Sequence, residues 1–95
     1  MNYGEYLYLL DVAQMVAARE AKAHEVGEEY HASRAYRTIS GGGEALLRIE
    51  GDELHLHVRG ADPMPAVRAV FGTTYTERNG VFVGKAPSSV LRPPT

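Results

Sequence analysis

The sequence predicts an α+β domain: a long N-terminal helix, a β-hairpin, a short helix and a second β-hairpin. Three observations lead there. The proline-free stretch 3–37 is dominated by Ala, Glu, Leu, Arg and Lys, all good helix formers. Two segments, 44–59 and 73–84, carry strand-like residues on either side of the turn dipeptides Gly51-Asp52 and Asn79-Gly80. Between them, Asp62-Pro63 opens a short run with one apolar face, 63–71. The α-ββ-α-ββ order implies a four-stranded antiparallel sheet with the helices on one face. It makes a single domain over residues 1–84, and residues 85–95 follow as an extended tail.

The first helix is expected over 3–37. Leu9, Val12, Val16, Ala23, Val26 and Tyr30 recur at helical spacing. Asn2 is the natural N-cap, and Glu5 sits where a capping box needs it. Ser40-Gly41-Gly42-Gly43 ends the segment. At about 1.5 Å per residue, such a helix spans about 52 Å. A globule of this length is only about 32 Å across. A glycine inside a helix costs only about 1 kcal/mol. The expectation is therefore a helix that continues through Gly27, projects from the domain and packs on a second copy.

In the first hairpin, Gly51 at the leading turn position suits a type II′ turn. Pairing across it sets Ile49 opposite Leu54, Leu47 opposite Leu56 and Ala45 opposite Val58, all on one face. Leu46, Arg48 and Glu50 then face outward with His57, His55 and Glu53. Glu50 opposite Glu53 is a like-charge pair, which argues for a longer loop. The short helix takes Asp62 as N-cap, Pro63 as its first residue, Val67, Val70 and Phe71 as its apolar face, and Gly72 as its stop. Asn79-Gly80 is a strong type I′ signal, flanked by Thr73–Thr76 and Val81–Val83. Pro87, Pro93 and Pro94, without periodicity, suggest the extended tail.

Composition narrows the function. Hydrophobic residues make up 44% and charged residues 23%, which fits a globular domain rather than a disordered chain. With no cysteine there is no disulfide, thiolate nucleophile or Cys-ligated zinc. No apolar run approaches the length of a membrane span, and the expected compartment is the cytoplasm. The net charge of −2 argues against a dedicated nucleic-acid binder. Residues 1–53 hold ten acids and five Lys/Arg, net −5; residues 54–95 hold two acids and five Lys/Arg, net +3. The two halves can attract each other, or the second can offer a basic surface.

No catalytic motif stands out. None of the four serines lies in a Gly-x-Ser-x-Gly elbow, and the triple glycine is not followed by Lys-Ser/Thr. The chain is thus read as non-catalytic and without a cofactor. On a continuous helix Glu20, His24, Glu28 and His31 would share an arc of about 80°. Glu28-x-x-His31 also has the spacing used in di-iron bundles, but only an oligomer could complete such a metal site. A solvated face is the plainer reading. Arg34 and Arg37, interleaved with Tyr30 and Tyr36, and Arg48 on the sheet would serve a nucleic-acid partner. Tyr3, Tyr6, Leu9, Leu10 and Val16 on the helix, with Arg48, His55 and His57 on the open sheet face, would serve a protein partner.

The expected function follows from these surfaces. The chain is a small protein-binding module — an adaptor, inhibitor or assembly subunit of the kind common in phages and mobile elements — that self-associates through its N-terminal helix. A nucleic-acid-binding regulator and a metal-binding helical oligomer are the alternatives.

Overall fold

A computed structural model describes residues 1–91 of the chain. Helix α1 runs Tyr3–Glu25, and a short 3-10 turn follows at Ala32–Ala35. Strands β1 (Arg37–Thr38), β2 (Glu44–Glu50) and β3 (Glu53–Arg59) come next, then α2 (Met64–Phe71), β4 (Thr76–Arg78), β5 (Val81–Lys85) and α3 (Ser88–Leu91). The strands form one antiparallel sheet of five, in the order β1-β2-β3-β5-β4. The α+β class and both hairpins agree with the expectation; the additional strand is β1, which pairs with the first two residues of β2.

Helix α1 begins as expected. The Asn2 side chain accepts from the Glu5 N–H and the Glu5 carboxylate accepts from the Asn2 N–H, a complete capping box. The helix does not run to residue 37. Gly27 has φ +75°, the Gly27 N–H bonds to the His24 carbonyl, and the Glu28 N–H reaches back to Ala23 at 2.7 Å. This is a Schellman stop, which uses the backbone freedom of glycine to satisfy carbonyls a helix end leaves open. At about 1.5 Å per residue α1 is about 34 Å long, within the 37 Å long axis of the molecule. The length argument for a projecting helix is removed.

Register in the first hairpin is as read: Ala45↔Val58, Leu47↔Leu56, Ile49↔Leu54, with Glu50 directly opposite Glu53. The loop is not lengthened. Instead the His55 ring lies between the two carboxylates, Nδ1 3.2 Å from Glu50 Oε2 and Nε2 3.4 Å from Glu53 Oε1. A donor on the ring offsets the like-charge contact.

The main core joins Leu9, Leu10 and Ala13 of α1, Leu47, Leu54, Leu56 and Phe82 of the sheet, and Ala66 and Val67 of α2. Burying each such leucine contributes about 1.5–3 kcal/mol. Ala45, Leu46 and Leu47 are all buried, although alternate residues of a strand point to opposite faces. Leu46 forms a second cluster with Val12, Val16 and Ala35. Residues of α1 thus join both clusters, and Leu46 is not an outward residue.

The C-terminal segment differs from the expected tail. Lys85 belongs to β5, Ala86 is buried with its N–H bonded to the Asp52 carbonyl at 2.9 Å, and Val90 of α3 packs on the core. The rest of that expectation, residues 92–95, lies outside the described residues. In the second hairpin the strands are shorter than 73–84. Tyr75 lies before β4 and sets its ring edge-on to Phe82 at 5.8 Å. No described helix is long and apolar enough to cross a membrane.

Candidate functional site

The first two turns of α1 carry an apolar patch. Tyr3, Leu7 and Tyr8 are 64%, 45% and 51% exposed. The half-buried Tyr6 ring lies 6.0 Å from that of Tyr3. Burial, aided by Tyr3, raises the Tyr6 hydroxyl pKa above 10.0. The Tyr8 hydroxyl accepts from Arg37 Nε at 3.1 Å, which holds that ring in place. Leu9 and Val16 lie on the far side of the helix and Leu10 on the border with Tyr3; all three are buried in the two clusters. Leu7 and Tyr8 belong to the run Tyr6–Leu10, apolar throughout, where no periodicity distinguishes inner from outer residues. Exposed Asp11 continues the line of Tyr3 and Leu7 at i, i+4, i+8, one ridge of the helix.

The outer sheet face holds the second group. Arg48, His55 and His57 do come together there, in a shallow depression of about 310 Å³ shared with Arg78, Val81 and Val83. They are half-buried rather than open. Arg48 Nη2 is 2.6 Å from Glu20 Oε2. Desolvation, followed by the neighbours Arg48 and His55, holds the His57 imidazole below its ordinary 6.5, against a weaker opposing pull from Glu50. Glu53 takes a further contact from Arg78 at 3.5 Å. The face is a mixed-charge network more than a basic patch.

Of the three nucleic-acid candidates, Arg34 and Arg37 are neighbours, and Arg48 is engaged by α1. Arg37 also donates to the Arg34 and Tyr36 carbonyls, and Arg48 is held by Glu20, while Arg34 is exposed. The four metal candidates are separated by the helix stop: Glu20 and His24 lie on α1, Glu28 and His31 beyond it. Glu20 is taken by Arg48, and no group of three or more His, Asp or Glu among the described residues is placed to hold a metal ion.

Sequence reading missed a third surface. An open groove of about 620 Å³ lies beside α2, lined by Met64, Arg68, Gly72, Thr73 and Tyr75. Its lining comes from α2 and the loop between α2 and β4, whose conformation no local pattern announces. Compared with known proteins, the chain matches no family model, no curated protein and no solved structure.

Proposed function

We propose that the protein is a non-catalytic protein-binding module that self-associates through the outer face of α1. The observation that supports this is the exposure of Tyr3 and Leu7, stacked one turn apart on α1, with exposed Tyr8 on the other flank of the helix. Exposed apolar surface of this kind is drawn to a protein partner, and tyrosine suits it because the ring buries area while the hydroxyl stays satisfied. Helix length no longer supports self-association; the patch does. Light scattering over a range of micromolar concentrations tests the reading. The expected mass for the wild type exceeds 10.4 kDa, and Leu7→Glu returns it to the monomer without loss of fold. A wild type that remains monomeric throughout would exclude self-association and leave the patch to a different protein.

A further inference from the structure

The patch and the α2 groove have matching chemistry. Along α1, Tyr3 and Leu7 are followed one turn later by the Asp11 carboxylate. Along α2, Met64 is followed one turn later by the Arg68 guanidinium, with the Tyr75 ring completing an apolar wall. Asp11 and Arg68 are both exposed, and among the described residues neither takes part in an ion pair. The groove volume of about 620 Å³ is within the usual range for a side-chain or ligand pocket.

We infer that the α2 groove is the seat for the α1 ridge of a second copy. Tyr3 and Leu7 enter beside Met64 and Tyr75, and Asp11 pairs with Arg68. The inference rests on the self-association proposed above and identifies the receiving surface. A patch-on-patch dimer would instead leave the groove empty and place no cation opposite Asp11, since α1 carries no Lys or Arg before Arg19. A patch-in-groove contact is heterologous, so it closes as a ring or continues as a chain.

Complementary variants test this. Leu7→Glu spoils the ridge and leaves the groove; Arg68→Glu spoils the groove and leaves the ridge. Both positions are exposed, and circular dichroism with thermal melting confirms that each variant folds. Each variant alone should self-associate about tenfold or more weakly than the wild type. Mixed together, they should form a one-to-one pair, because one intact ridge and one intact groove remain. Asp11→Arg combined with Arg68→Asp in one chain should restore assembly. If the wild type assembles and Arg68→Glu assembles equally well, the groove is not the seat, although self-association stands. If the wild type is monomeric at every concentration, both readings fall.

Discussion

Arg48 of β2 and Glu20 of α1 approach to 2.6 Å, joining the last turns of the helix to the outer face of the sheet. Their side chains are 29% and 37% exposed, so water screens the pair only in part. Exposed ion pairs contribute about 0.2–1 kcal/mol, and charge-assisted hydrogen bonds in drier surroundings contribute more. A double-mutant cycle with Glu20→Gln and Arg48→Met keeps both stems while removing the charges. The expected coupling is about 1 kcal/mol in urea unfolding. Additive effects of the two substitutions would show that the contact contributes nothing to stability.

The glycine run 41–43 is not a simple linker. A Cβ on Gly43 would lie 2.6 Å from Ala61 Cβ and 2.8 Å from the Arg59 carbonyl oxygen, at φ +80°. One on Gly42, at φ +94°, would meet nothing within 4 Å. Gly42→Ala should therefore cost only backbone strain, about 1–2 kcal/mol. Gly43→Ala should add a clash with backbone, for a total of about 3 kcal/mol. Equal unfolding midpoints for the two variants would mean that the segment gives way at little cost.

How far the fold could be read depended on how local its determinants were. Register in the β2–β3 hairpin follows from Gly51-Asp52 and a period-two pattern, both contained in adjacent residues. Asn79, at φ 53°, and Gly80 likewise make the second turn where the dipeptide places it. The end of α1 was misread because interior propensity near Gly27 is high; what stops the helix is the bond from Glu28 back to Ala23. Strand β1 has two residues, too few for any periodicity, and exists through its pairing with Glu44 and Ala45. Leu46 is covered by Val12, Val16 and Ala35, which only the tertiary arrangement brings over it. The same limit applies to the patch: Tyr3 was identifiable, but the choice between Leu7 and Leu9 required knowing which side of α1 meets the sheet.

Glu5 supports more than the helix start. Its carboxylate also accepts from the Ser40 N–H and hydroxyl, linking α1 to the entrance of the glycine run. The Ser40 hydroxyl, the Ser40 N–H and the Asn2 N–H together lower the Glu5 pKa below its ordinary 4.5. A carboxylate so depressed contributes stability that is present above pH 4.5 and is lost as pH falls through the folded value. Glu5→Gln should reduce stability at neutral pH and flatten the acid limb of the stability profile. An acid limb with unchanged slope would assign that dependence to other carboxylates.

Protonation of His57 runs the opposite way from that of a surface histidine poised for an acidic partner. Desolvation, Arg48 and His55 hold its folded pKa below 6.5, and Glu50 opposes them only in part. Above 6.5 both folded and unfolded chains carry neutral imidazole, and the site does not distinguish them. As pH falls below 6.5 the unfolded chain takes up a proton that the folded chain resists, so stability declines until pH passes the folded value. His57→Gln removes the titrating group, and the variant should lose less stability than the wild type between about pH 6.5 and about pH 5. Side-chain NMR provides a direct reading: the His57 midpoint should lie below 6.5 in the wild type and rise in Arg48→Met, which removes a positive neighbour. A His57 midpoint above 6.5 would mean that Glu50 outweighs burial, Arg48 and His55. Binding to an acidic partner by imidazolium at mildly acidic pH would then become available to this face.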